Sequence, residues 1–264
     1  MQIAFDVFMC IIGGCFGSFL CCMAWRLRYK ELKKPLKNKR SICLHCKYQL
    51  KWYDNIPFAS WFILRGKCRK CGKKIGAMEI LSELGLAFGF LTAATTIDIH
   101  TATALEWGIF AATIALMLSL GFLAIYDGKW GELPNFVIII AIITALVLAT
   151  LKLTQNYFVN GFSMEPILNI LASVTILGGI YFLLHVISGG KWVGDGDWLL
   201  GLAIGLALAD PWLATVALFV ANFTACIIMA PIVKKTKNKT LHFGPFMVLA
   251  FAITLALRCV IIIV

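Results

Sequence analysis

Two aspartates stand out in an otherwise apolar chain: Asp127, in Ala-Ile-Tyr-Asp-Gly-Lys-Trp, and Asp197, in Gly194-Asp195-Gly196-Asp197. Each lies at the end of an apolar run long enough to cross a bilayer. A carboxylate at a membrane boundary is costly to desolvate, so its presence points to function. Two carboxylates at one boundary can share a proton, so that one takes a proton from water while the other gives one to a carbonyl oxygen. A second group of chemical residues is Cys43-Leu-His-Cys46 and Cys68-Arg-Lys-Cys71, with 21 residues between the pairs. Two residues between ligands let both sulfurs reach one tetrahedral ion, usually zinc. Four thiolates leave no open coordination position, so the ion is expected to be structural, with His45 a bystander. Lys67, Arg69, Lys70, Lys73 and Lys74 favour thiolate over thiol.

The elements that must position these groups follow from hydropathy. The 264 residues have a mean hydropathy of +0.88 and are 61% apolar, against about half in a soluble domain. An all-α polytopic membrane protein is expected, with eight spans near 3–25, 77–97, 105–127, 134–151, 166–188, 194–210, 212–232 and 244–263. The sixth is the shortest. The first has no cleavage site or basic head and reads as a retained helix. This divides the chain into a first helix (1–25), a basic metal-binding loop (26–76) and a seven-helix membrane region (77–264).

Charge gives the orientation. Residues 26–74 hold 16 Lys and Arg against two acids, Glu31 and Asp54. With Lys129, Lys191, Lys234, Lys235, Lys237 and Lys239, 22 of the 24 basic residues fall on one side of an eight-span topology. The positive-inside rule makes that side cytoplasmic, and puts Asp127 and Asp197 there together. The net charge of +11 is explained by topology and by attraction to anionic headgroups. No nucleic-acid reading module accompanies it. Trp52, Tyr53 and Trp61 suit either the membrane interface or the core of the metal loop. Cys10, Cys15, Cys21, Cys22, Cys226 and Cys259 read as small packing residues. Gly13, Gly14, Gly17 and Ser18 permit close helix contact within the chain. Gly194 and Gly196 suit a tight turn and close approach to a substrate backbone, Asp195 reads as a solvated loop acid, and Asn222 as a cross-helix contact.

The ordered set of motifs resembles the bacterial type IV prepilin peptidases (leader peptidase/N-methyltransferases), of the GxGD class of intramembrane aspartyl proteases. It comprises Gly17-Ser18-Phe19-Leu20, Arg26-Leu27, the two Cys pairs, Trp52-Tyr53-Asp54-Asn55-Ile56-Pro57, Ser60-Trp61, Leu64-Arg65-Gly66-Lys67-Cys68, Glu83-Leu84, Asp127 with Leu133-Pro134, and Gly194-x-Gly196-Asp197. The resemblance implies Asp127 and Asp197 as catalytic carboxylates. It also implies cleavage of a basic leader after a Gly of a prepilin or pseudopilin, and methylation of the new N-terminus with S-adenosylmethionine. Glu83 matches a family position at membrane depth. Departures are Cys21-Cys22, Lys129, Asn135 and Leu199, which leave both aspartates in place and bear on the methyltransferase; no glycine-rich cofactor loop is present. A proton-relay transporter would also place acids on spans, but its site is expected near the midplane between repeats, and no repeat is seen.

Overall fold

The computed structural model describes the backbone of residues 1–32, 41–236 and 242–263, and the side chains of 1–32, 41–229 and 242–258. Lys237 and Lys239, and the side chains of Lys234, Lys235 and Cys259, lie outside these. Ten α-helices are described: α1 Gln2–Glu31, α2 Ala59–Ile63, α3 Ala77–Ala94, α4 Ala104–Trp130, α5 Asn135–Asn160, α6 Glu165–Val174, α7 Ile180–Ser188, α8 Asp195–Leu208, α9 Pro211–Thr236 and α10 Gly244–Ile263. A 3₁₀ turn, Trp52–Asp54, lies in the loop after α1, and a π-helical turn, Thr175–Gly179, joins α6 to α7. The described residues contain no sheet, only two isolated β-bridges.

A helix stands at each of the eight expected spans. Among the described residues six are long and apolar enough to cross a membrane, α6 and α7 counting as one, which fits a multi-pass membrane protein. The described part of α10, Gly244–Arg258, is apolar but shorter, and α8 is short throughout. At 14 residues α8 is about 21 Å long, short of the roughly 30 Å hydrocarbon core. It packs against α5, α6, the π turn, α7, α9 and α10, so its apolar residues are buried by protein. The chain forms two compact units, Met1–Leu91 and Thr92–Val264.

In the first unit, α1 crosses α3 through glycines. A Cβ on Gly13 would meet Leu86 O and lie 2.9 Å from Ala87 Cα. One on Gly17 would meet Ser82 O and lie 2.6 Å from Glu83 Cα. Ser82 Oγ donates to the Gly17 carbonyl at 3.2 Å, closing the crossing. The small-residue run therefore packs inside this chain, as expected. The cysteines of α1 differ from expectation in part: Cys21 is buried but Cys15 is exposed, as is Cys226 of α9. They occupy outward faces, where an apolar thiol needs no protein partner.

In the second unit the helix ends carry local signals. Thr103 and Glu106 form a capping box at the start of α4, and Gly131 ends it in the left-handed conformation (φ +68°). Asp210 caps α9 through the N–H groups of Trp212 and Leu213. The expected single helix 166–188 is interrupted by the π turn. Its cause is a crossing of backbones: a Cβ on Gly178 would lie 3.1 Å from Leu202 Cα. Cβ atoms on Gly201 and Gly205 would lie 2.5 and 2.8 Å from the carbonyl oxygens of Leu177 and Ser173. Small residues on both helices allow this approach, and the helix widens by one residue at the crossing. Large apolar side chains such as Ile139, Ile143, Phe219 and Phe223 are more than half exposed, the outward face expected of a chain solvated by lipid.

Candidate functional site

In the first unit the two cysteine pairs occupy matching hairpins. In 41–50, Cys43 N–H bonds Tyr48 O, Lys47 N–H bonds Cys43 O, and Leu50 N–H bonds Ser41 O. In 66–75, Cys68 N–H bonds Lys73 O, Gly72 N–H bonds Cys68 O, and Ile75 N–H bonds Gly66 O. The β-bridges Ile42–Gln49 and Lys67–Lys74 fall in the same places. The residue after each pair has φ > 0, Lys47 at 58° and Gly72 at 67°, which turns the chain so that both sulfurs face one point.

The four Sγ atoms lie within 4.8 Å of one another and could hold a metal ion. Cys43–Cys71 and Cys46–Cys68 are each 3.9 Å apart. A tetrahedral zinc with 2.3 Å bonds requires sulfurs about 3.8 Å apart, so the set fits zinc. Burial works against a charged Cys43 thiol, but N–H groups of Cys46 and His45 and the Cys68 and Cys46 sulfurs lower it to about 7. Cys71 behaves oppositely. Although the Lys73 N–H lowers it, burial and the other three sulfurs push it up to about 11. Four thiols this close do not all ionise by themselves; a cation would compensate the charge.

Segments between and beyond the hairpins are tied to them. Asp54 is buried, accepts from Lys51 N–H at 3.1 Å, and receives Arg69 Nε at 2.7 Å from inside the second cysteine pair. The Arg69 guanidinium also lies over the Tyr53 ring, 5.0 Å from its centre. Glu83, buried in α3, accepts the Phe58 N–H at 2.8 Å, and Ser18 also bonds it. Phe58 has φ +60°, uncommon for a non-glycine residue, and its ring occupies the space a Cβ on Gly14 would need. Gly17-Ser18, the 52–58 segment and Glu83, distant in sequence, thus converge within this unit, with Glu83 joined to the Phe58 N–H and the Ser18 side chain.

The second unit holds both aspartates. Asp127, three residues before the end of α4, is 5% exposed. Its Oδ2 accepts the N–H of Gly244, the first residue of α10, at 2.8 Å, and its Oδ1 lies 3.9 Å from His242 Nδ1. Asp197 is the third residue of α8, and its Oδ2 accepts the Gly194 N–H at 3.1 Å. The recorded bonds thus occupy Oδ2 of both carboxylates.

The glycines of the motif do not make the tight turn the sequence suggests. Gly194 has φ −72°, and neither it nor Gly196 is among the residues with φ > 0; the turn is made by Gly189 (φ +58°) and Gly190 (φ +77°). Gly196 is needed for packing, since a Cβ there would lie 2.5 Å from Leu133 Cδ1. Asp195 is exposed and pairs with His185 Nε2 at 3.1 Å, while His185 Nδ1 lies 2.9 Å from Val193 O. Asn222 makes the cross-helix contact expected of it, Nδ2 to Tyr181 Oη at 2.9 Å. The 242–244 segment, which anchors Asp127, was not expected; the Gly-Pro of Gly244-Pro245 at a helix start is the one sequence signal for it.

Residues 11–97 match the family described as the bacterial peptidase A24 N-terminal domain. The chain is 30% identical over 212 residues to the prepilin leader peptidase/N-methyltransferase of Dichelobacter nodosus, covering 80% of this chain and 68% of that one. It is 26% identical over 279 residues to the type 4 prepilin-like proteins leader peptide-processing enzyme of Escherichia coli O78:H11, covering 96% and 98%. It is 28% identical over 239 residues to a prepilin leader peptidase/N-methyltransferase of Aeromonas hydrophila, covering 86% and 78%. No solved structure matches the chain.

Proposed function

This chain belongs to the prepilin leader peptidase/N-methyltransferase family, and on that premise we propose that it is an aspartyl endopeptidase that removes the basic leader of prepilins or pseudopilins after a Gly, at the cytoplasmic edge of the bacterial inner membrane. One observation supports the mechanism: two carboxylates 70 residues apart in sequence lie at helix ends of one unit, each with one oxygen held by a backbone N–H.

Asp197 is the base and Asp127 the acid. Asp197 sits in the first turn of α8, where the helix dipole favours a negative charge, whereas Asp127 sits in the last turn of α4, where the dipole disfavours it. Ionised Asp197 removes a proton from water as the water oxygen attacks the scissile carbonyl carbon. Asp127 gives its proton to the carbonyl oxygen, forming a gem-diol. The C–N bond then breaks, Asp197 passes its proton to the leaving nitrogen, and Asp127 regains one from a gem-diol hydroxyl.

Cys43, Cys46, Cys68 and Cys71 hold zinc, which crosslinks two hairpins with too little core to fold alone. Lys67, Lys70, Lys73 and Lys74 face anionic headgroups, and charge serves topology, with no nucleic-acid partner. Methylation of the new N-terminus with S-adenosylmethionine is proposed on the family's name alone.

The test is the intact mass of a co-expressed prepilin, with the wild-type chain and with Asp127→Asn or Asp197→Asn. Loss of the leader with wild type alone supports the mechanism, and an added methyl group on that product reveals the second activity. A leader retained with wild type and a cognate prepilin overturns the peptidase reading. In that outcome a proton-relay role for the pair would stand as the alternative, because buried acids on spans serve both.

A further inference from the structure

His185, in the last turn of α7, holds both ends of the loop that leads into α8. Its backbone carbonyl accepts the Gly190 N–H at 2.9 Å. Its ring Nδ1 lies 2.9 Å from Val193 O, and its Nε2 lies 3.1 Å from Asp195 Oδ1. A carbonyl oxygen only accepts, so Nδ1 carries the hydrogen of the first of these bonds. The Asp195 side chain is 91% exposed, and its pairing is screened by water. The bond to Val193 O is therefore the one that fixes the ring to the loop.

Val193 O and the Gly194 N–H belong to one peptide group, and that N–H donates to Asp197 Oδ2 at 3.1 Å. The oxygen and the hydrogen of a planar trans peptide point in opposite directions, so a bond on the oxygen sets where the N–H points. Sterics alone would not hold this peptide. Turning it over changes ψ of Val193 and φ of Gly194, and glycine takes positive φ about as readily as negative. In the observed state Gly194 has φ −72° and ψ 162°. Turned over, the peptide would offer Asp197 a carbonyl oxygen in place of a donor. A hydrogen bond accepted by the carbonyl also polarises the amide and strengthens its N–H as a donor.

We propose that His185 is a positioning residue for Asp197, acting through the Val193–Gly194 peptide. The inference rests on the acid–base reading given above, in which Asp197 takes a proton from water. His185 Nδ1–H holds the carbonyl, the peptide plane carries that constraint across, and the Gly194 N–H fixes the rotation of the carboxylate. The base then meets the water in one geometry instead of several, which is where a fixed orientation lowers a barrier. What the reaction needs of His185 is a donor at the position of Nδ1. The contact of Nε2 with the exposed Asp195 adds little to it.

The experiment measures leader cleavage of a purified prepilin by the full-length wild-type chain and by His185→Leu, His185→Asn, His185→Gln and Asp197→Asn. The Asn amide nitrogen stands where Nδ1 stood and keeps a donor for Val193 O. The Gln amide nitrogen stands where Nε2 stood and leaves Val193 O without one. His185→Leu and His185→Gln are expected to lose about tenfold to a hundredfold in kcat, with KM within about twofold. His185→Asn should keep kcat within about threefold of wild type, and the thermal midpoints of the Asn and Gln variants should agree. A merely structural role would not separate these two, since each keeps one ring contact and loses the other. A wild-type kcat in His185→Gln overturns the proposal, as do equal losses in His185→Asn and His185→Gln, or a loss that only follows lost thermal stability. Should His185→Leu fail to fold, the comparison of Asn with Gln decides. An inactive Asp197→Asn beside an unaltered His185→Gln rejects His185 alone. An active Asp197→Asn, or a prepilin left uncut by wild type, rejects the acid–base reading and His185 with it.

Discussion

The cysteine hairpins and the aspartate pair are built in opposite ways. In the hairpins the backbone bonds that shape each metal-ligand pair join residues four to nine apart, and the same pattern is made twice. Around the aspartates, the bond that fixes Asp127 comes from Gly244, 117 residues on. A metal site can be assembled from local turns because the ion itself supplies the long-range link. A pair of carboxylates has no such link, so the helices must bring it together. The first region should therefore fail by losing its ion, and the second by losing a helix contact.

The comparison is tested most strongly at the aspartates. Asp197→Asn keeps the shape of the side chain and an acceptor for Gly194 N–H, and is expected to lower leader processing by about a thousandfold or more. The thermal midpoint and the metal content should stay at wild-type values, and a parallel loss of metal would break the separation of the two regions.

Metal removal is expected to act on the other region. Chelation should expose residues 41–75 to protease and to rapid hydrogen exchange while the helices of the second unit remain protected. Acid should do the same. Metal ligation requires the thiolate form, so protons compete with the ion for Cys43, Cys46, Cys68 and Cys71 and retention falls with pH. Metal retention measured from pH 8 downward checks the sign; retention that improves on acidification would contradict it.

A finer comparison lies between the two carboxylates. A Cβ on Gly244 would stand 2.8 Å from Asp127 Oδ2, whereas one on Gly194 would stand an ordinary 3.4 Å from Asp197 Oδ2. Gly244→Ala is expected to cost roughly tenfold or more in kcat, and Gly194→Ala less than about threefold. Equal losses would mean that the backbone anchor of Asp127 does not matter. The smallest effect concerns α1 on α3. Gly17→Ala, forced against Glu83, should destabilise by about 1–3 kcal/mol, while Gly85→Ala, with nothing within 4 Å of the new Cβ, should be neutral or slightly stabilising. Thermal melting of the two variants separates a packed crossing from a loose one.

How much of this was legible in the sequence depended on distance along the chain. The cysteine pairs declare themselves by spacing, and their geometry matched the zinc expectation. Helices stood where the apolar runs were, because twenty apolar residues in lipid must satisfy their own backbone. The interruption at Thr175–Gly179 was hidden because it comes from Gly178, Gly201 and Gly205 meeting across helices, which hydropathy averages away. The tight turn was assigned to Gly194 and Gly196 but is made by Gly189 and Gly190, since motif glycines can serve packing as well as φ. Glu83 matches a family position at membrane depth, but its partners, the Phe58 N–H and Ser18, are not legible from that match. His242 and Phe243 gave no signal, because their placement near Asp127 depends on which helix ends converge.

Asp127 occupies a position with two loyalties. Its carboxylate accepts the N–H of the first residue of α10, much as Asp210 does for the start of α9. A charged acceptor holds a helix start more firmly than a neutral one. In the proposed cycle α10 would be gripped harder each time the acid gives up its proton and less each time it is reprotonated. The seating of α10 would then be mechanically coupled to that cycle, and a change in it would be read out as a change in how readily Asp127 parts with its proton.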